Sequence, residues 1–134
     1  MRTYLIALLA LCFNTVSIAA DGASAAQSLP TLSAGGSGVT VSVTPRSLKD
    51  GSWEFDVALN THSQDLKDDL IKSASLIAGG KAHAPAGWKG DPPGGHHRKG
   101  VLKFDGIDPG PSEIELRIAR PGEPKPRSFR WQLK

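Results

Sequence analysis

The chain is nearly without sulfur. Cys12 is its one cysteine and Met1 its one methionine in 134 residues. No intrachain disulfide and no thiolate zinc cluster is open to it. Soft ligands for copper(I) are missing from everything downstream of Cys12. Aromatic residues are few, with three Trp, four Phe and one Tyr. Charge of one sign is missing as well: 16 Lys and Arg face 13 Asp and Glu, for a net charge of +3. So mild a balance argues against a nucleic acid or a membrane surface as partner. No apolar run is long enough to span a bilayer stably.

What is there begins with a leader pattern. Arg2 is followed by the apolar run Leu5 to Phe13, and Ser17-Ile18-Ala19 and Ile18-Ala19-Ala20 offer small residues for cleavage. Residues 1–20 therefore read as a secretory signal peptide, and the chain as exported, to the periplasm or beyond. Cys12 lies inside that run behind the large Leu11, which disfavours lipidation. Its removal with the leader leaves a mature chain whose stability comes from an apolar core. Removal of Arg2 takes one unit from the net charge.

Residues 21–38 are small, polar and aperiodic, and read as a flexible linker. Residues 39–134 read as one small domain. Apolar residues alternate with period two at Val39, Val41 and Val43, at Trp53, Phe55, Val57 and Leu59, at Ile114, Leu116 and Ile118, and at Phe129, Trp131 and Leu133. Shorter runs lie at Ile71 to Ala78, Lys81 to Trp88 and Val101 to Phe104, with turn signals at Lys49-Asp50-Gly51, Gly79-Gly80, Asp108-Pro109-Gly110-Pro111 and Pro121-Gly122-Glu123-Pro124. Only Ser63 to Leu70 looks helical, with Ser63 as cap and Leu66 and Leu70 on one face. Seven short strands predict an all-β fold, a seven-stranded antiparallel immunoglobulin-like sandwich, with a small β-barrel as the alternative.

If successive strands run up and down, the connections 61–70, 89–99 and 120–126 fall at one pole. They bring together Thr61, His62, Asp65, Asp68, Asp69, Asp91, His96, His97, Arg98, Arg120 and Glu123. The richest of them runs Lys89-Gly90-Asp91-Pro92-Pro93-Gly94-Gly95-His96-His97-Arg98-Lys99-Gly100. Rigid prolines beside permissive glycines suit a loop that presents side chains in a set geometry.

His62, His96 and His97 are the candidate metal ligands, and imidazole suits zinc or copper(II). Adjacent residues of a strand face opposite ways, so His96 and His97 reach one ion only if Gly94-Gly95 bends the backbone. The bland alternative has one imidazole bonded to a loop carbonyl and the other in water. His83 is expected to face solvent. Arg98, Lys99 and Lys89 suit an anion, but Arg98 is better read as pairing with Asp65, Asp68 or Asp69 across the pole. Asp68 and Asp69 themselves read as a solvated helical face. Trp53 and Trp131 read as core, which leaves Trp88, with Arg98 and Asp91, as a contact surface. No triad or paired carboxylates argue for an enzyme, and no catalytic residue or certain cofactor is assigned.

The segments Thr61-His62-Ser63, Trp88 to Phe104 and Phe129-Arg130-Trp131 resemble a pattern of small exported bacterial β-sandwich domains of uncharacterised function, Thr-His-Ser followed by Trp-x-Gly-x-Pro-Pro-Gly-Gly-His-His-Arg-x-Gly-Val-Leu-x-Phe. The resemblance spans Val39 to Leu133. It implies an envelope location and a β fold, and carries over no activity and no functional residue. Three readings result: an exported module binding zinc or copper(II), a metal-free protein-interaction module of the envelope, and a hydrolase.

Overall fold

The computed structural model describes residues 28–134. The leader at 1–20 and the first part of the linker lie outside the described residues. Nine strands appear among those described: β1 (Leu32–Gly36), β2 (Val39–Lys49), β3 (Ser52–Thr61), β4 (Ala74–Ala78), β5 (Lys81–His83), β6 (Gly87–Gly90), β7 (His97–Asp105), β8 (Glu113–Ile118) and β9 (Arg127–Gln132). They form two antiparallel sheets, one ordered β1-β2-β3-β7-β6 and the other β5-β4-β8-β9. The protein is an antiparallel β-sandwich.

The alternating residues make the sandwich. Val39, Val41 and Val43 of β2, Trp53, Phe55, Val57 and Leu59 of β3, and Leu102 and Phe104 of β7 turn one buried face inward. Leu76 of β4, Ile114, Leu116 and Ile118 of β8, and Phe129 and Trp131 of β9 supply the other. Phe55 links the layers. Its ring packs edge-on to Phe104 at 5.7 Å and lies 5.9 Å from Trp131 of the opposite sheet.

Two strands beyond the expected seven change the picture at the edges. The flexible-linker reading is corrected for its second half, where Leu32–Gly36 pairs along β2 from Leu32↔Val43 to Gly36↔Val39. LSAGG offers no alternation of large residues, and side chains from far along the chain hold it instead. Trp131 Nε1 donates to Pro30 O at 2.9 Å, and Arg127 donates to Ala34 O at 2.8 Å and Gly36 O at 2.6 Å. These contacts stitch the edge of β1 to β9 across the open side of the sandwich and cover carbonyls that an exposed edge would offer to another chain. The stretch 81–88 is corrected too: it is two short strands, and Ala84-Pro85-Ala86 carries the chain from one sheet edge to the other. Both β5 and β6 run toward the same pole, so the split leaves the up-and-down parity intact.

The helix is also shorter and later than expected. Ser63 to Asp69 is not helical, because Leu66 N–H is already bonded to Gly95 O at 2.9 Å. A single turn, α1 (Leu70–Ser73), begins after Asp69, whose carboxylate accepts from Ile71 N at 3.1 Å and Lys72 N at 3.3 Å. Leu66 and Leu70 are both buried, as their spacing suggested. No helix among the described residues is long and apolar enough to cross a membrane.

Candidate functional site at one pole

The expected gathering of loops is present. The connections after β3, before β7 and after β8 meet at one end of the sandwich, and the β1–β2 turn joins them. The β3–β4 connection and the proline-glycine loop form a short ladder of their own. Gly94 N donates to Leu66 O at 2.8 Å, Leu66 N to Gly95 O at 2.9 Å, and Thr61 N to His96 O at 2.9 Å. Asp65 Oδ1 accepts from Gly95 N at 2.6 Å. Gly94 and Gly95 make this possible with φ of 118° and 75°, values that side chains rarely adopt. The loop's other limb is closed by Asp91: its N–H reaches Lys99 O at 3.0 Å, and its Oδ2 accepts from Lys99 N at 3.0 Å. Where β6 and β7 meet, a Cβ at Gly90 would lie 2.4 Å from Gly100 Cα, and one at Gly100 would lie 2.7 Å from Trp88 Cζ2. Two glycines there are a packing requirement.

Arg98 is not a surface residue; it is 3% exposed. Its side chain lies on the inner face near the start of β7. Nη1 donates to Asp68 O at 2.7 Å and Leu66 O at 3.4 Å, and Nη2 to Asp91 O at 3.4 Å. The guanidinium carbon stands 5.7 Å from the centre of the Trp88 ring. Carbonyl dipoles and an aromatic face thus hold the charge, and no carboxylate among the described residues does. The expected pairing of Arg98 with Asp65, Asp68 or Asp69 is corrected, and so is its use as a contact residue. Trp88 is half-buried, and its Nε1–H is spent on Asp91 O at 3.0 Å. Asp91 is exposed.

The carboxylate that crosses the pole is Asp68, and its partner is Arg120. Arg120 forks onto Asp68 through Nε at 2.9 Å and Nη2 at 3.2 Å, and reaches Glu123 through Nη1 at 3.2 Å. Glu123 in turn accepts from Arg127 at 2.5 and 3.0 Å. Asp68 is therefore no solvated helical residue: it is 2% exposed. Arg127 completes the chain of charges by donating to Val39 O at 2.7 Å beside its two contacts with β1. The hydrogen bond from Arg127 holds the Glu123 carboxyl below the ordinary carboxylate range, against the opposing effect of burial. Burial, the largest influence, lowers the Arg120 guanidinium, but the hydrogen bonds it donates to Asp68 and the charges of Asp68 and Glu123 together raise it. Sequence reasoning put Asp68, Arg120, Glu123 and Arg98 at this pole but gave the carboxylate to Arg98, where the structure gives it to Arg120.

His62, His96 and His97 are all exposed. His97 Nδ1 donates to Asn60 Oδ1 at 2.8 Å, which leaves its Nε2 free. Among the described residues no group of three or more His, Cys, Asp or Glu side chains is placed to hold a metal ion. The pole thus consists of a buried charged base and an exposed rim of Asp91, Pro92, Pro93, His96 and His97.

No family model matches the sequence, and no curated protein matches it. The chain is similar to a solved structure, the 1.5 Å crystal structure of the secreted protein MPT63 from Mycobacterium tuberculosis, with 14% identity over 77% of this chain and 92% of that one and a TM-score of 0.47.

Proposed function

We propose that the protein is an exported, non-enzymatic interaction module whose rim at Asp91 to His97 docks a protein partner of the envelope. The observation that carries this reading is the division of labour within the loop. Its backbone is fixed by bonds to Leu66, Thr61 and Lys99, and its imidazoles and prolines face solvent. A loop ordered before binding loses less conformational freedom on docking. The leader pattern supports export, and the absence of a triad or paired carboxylates supports a module without catalysis. The test places a photo-crosslinking residue at His96, and in a second protein at Lys81 near the opposite pole, in the native host. A discrete adduct from His96 and none from Lys81 is expected. Equal labelling from both, or none from either, removes the docking role.

The three exposed histidines favour a second reading, zinc or copper(II) held by His62, His96 and His97. The hydrogen bond from Thr61 N to His96 O brings the two chain segments side by side. Ligation needs neutral imidazoles, so affinity must weaken in acid. Titration of each ion into the mature protein, repeated with His62→Ala and with His96→Ala/His97→Ala, decides it. Saturable binding that both variants weaken supports the metal. Binding indifferent to these histidines, or none at neutral pH, rejects it.

A further inference from the structure

Away from the pole, the outer face of the five-stranded sheet carries unusually short side chains. Cross-strand pairing sets Ser42 beside Ala58 and Ala58 beside Lys99, and in the next row Thr44 beside Asp56 and Asp56 beside Val101. Solvent-facing positions at the centre of such a sheet ordinarily bear long polar side chains. With Ala58 and Val101 in their place, a cleft of about 430 Å³ opens on the sheet. A second cleft of about 280 Å³ shares Ala58, Asp91 and Lys99 with it and continues to Asn60 and His97. Sites for small ligands span roughly 300–1,000 Å³.

The lining has both signs of charge and neither dominates. Lys99 makes no ion pair with a described residue, while Asp56 pairs with Arg46 at the open distance of 3.8 Å. An anion drawn to Lys99 meets Asp91, just past the end of the neighbouring strand β6, and a cation drawn to Asp91 meets Lys99. Ser42 and Thr44 are each paired to another hydroxyl, at 2.7 Å from Ser33 and 2.6 Å from Thr31. One proton bridges each pair, so each pair keeps a second to donate. We propose that this groove binds an uncharged polyhydroxylated ligand, a pyranose sugar, with its C–H face on Ala58 and Val101. A sugar hydroxyl both donates and accepts, so it satisfies an ammonium and a carboxylate side by side. The groove borders the rim at Asp91 and His97, but its test reads Ala58, Lys99 and Val101, which the docking role does not use.

The test is a titration of the ¹⁵N-labelled mature protein with maltose, cellobiose and N,N′-diacetylchitobiose, with benzoate and glycylglycine as charged and zwitterionic probes. Saturable shifts of the Ala58, Lys99 and Val101 amides with at least one sugar are expected, and none with the other probes. Ala58→Gln and Val101→Lys fill the floor from the solvent side without touching the core. Each should weaken sugar binding by about tenfold or more, with an otherwise unchanged spectrum. Silence with all three sugars, shifts confined to benzoate or glycylglycine, or sugar shifts that survive both substitutions would overturn the proposal.

Discussion

The two poles of the sandwich are built on different principles. At the pole opposite the histidines, the bonds between segments are local turns and continuations of the strand ladders. The Gly79-Gly80 turn closes β4 onto β5, Gly106 N–H meets Gly51 O at 3.0 Å, and Leu133 N–H meets Ser112 O at 2.7 Å, the last two simply extending strand ladders. At the histidine-bearing pole, four connections hold one another through side chains. Among the described residues, every buried polar side chain except Glu115 belongs there: Thr61, Asp68, Arg98, Arg120 and Arg127. A turn formed from neighbouring residues needs only the right backbone chemistry. Loops that are distant in sequence need a partner for each group they bury, and a loop in the wrong place would leave a charge unpaired. The costly pole is also the one that presents the candidate rim.

The comparison breaks most sharply at Asp68. Asp68→Ala leaves the Arg120 guanidinium buried beside a vacancy and should cost about 3–5 kcal/mol, as for other broken buried pairs. Lys49→Ala, at an exposed position of the opposite pole, should stay within about 0.5 kcal/mol. Chemical denaturation of the two variants checks both figures. Equal losses would mean that the poles do not differ in kind.

Trp131→Ala should cost about as much, roughly 3–5 kcal/mol, but for a reason common to both poles. Trp131 fills the space between the sheets against Phe55 and also ties Pro30 through its indole N–H. A denaturant melt measures the loss. A loss below about 1 kcal/mol would show that the core tolerates the hole by collapse.

This contrast also marks how far the sequence could be read. Period-two alternation at Val39–Val43, Trp53–Leu59 and Ile114–Ile118 placed the buried face correctly, because a pleated strand with one face in a core leaves that signature. Up-and-down parity brought the right loops together, and it survived the miscounted strands only because β5 and β6 run the same way. Strand β1 was not legible. Its five residues are small and aperiodic, and the donors that hold it, Arg127 and Trp131, lie about a hundred positions away. Nor was the partner of Asp68, since Arg98 and Arg120 reach the same pole and only the direction of each side chain separates them. Residue types could name His62, His96 and His97, but mutual geometry is what makes a metal site, and spacing does not encode it.

At the opposite pole a smaller effect is expected from Gly80→Ala. Gly80 has φ of 76°, and nothing lies within 4 Å of an added Cβ, so any cost is conformational. A loss of about 1–2 kcal/mol should appear in thermal melts. A loss near that of Asp68→Ala would show that this turn is coupled to more than its own hairpin.

The most selective effect belongs to acid. Glu123 is held below the ordinary carboxylate range, first by the hydrogen bond from Arg127 and then by the charges of Arg127 and Arg120, with burial opposing. Glu115, on the outer face of the four-stranded sheet, is lowered chiefly by its hydrogen bond from Arg117. Unfolded, a glutamate titrates near about 4.3. In the window below that value the unfolded chain binds more protons than the folded one, so the stabilisation is complete above it and drains away as pH falls through the lowered folded values. Both carboxylates should therefore steepen acid unfolding, and Glu123→Gln and Glu115→Gln should each flatten it. They differ in what loosens first. Glu123 positions Arg127, and Arg127 holds the carbonyls of Ala34, Gly36 and Val39, whereas Glu115 holds only side chains of its own sheet. Hydrogen exchange followed down through that window should show the β1 amides losing protection before those of β4 and β8 in the wild type. In Glu123→Gln that early loss should no longer depend on pH, while Glu115→Gln should keep it. Exchange at β1 that tracks β8 throughout the acid range would sever the link between the charged pole and the first strand.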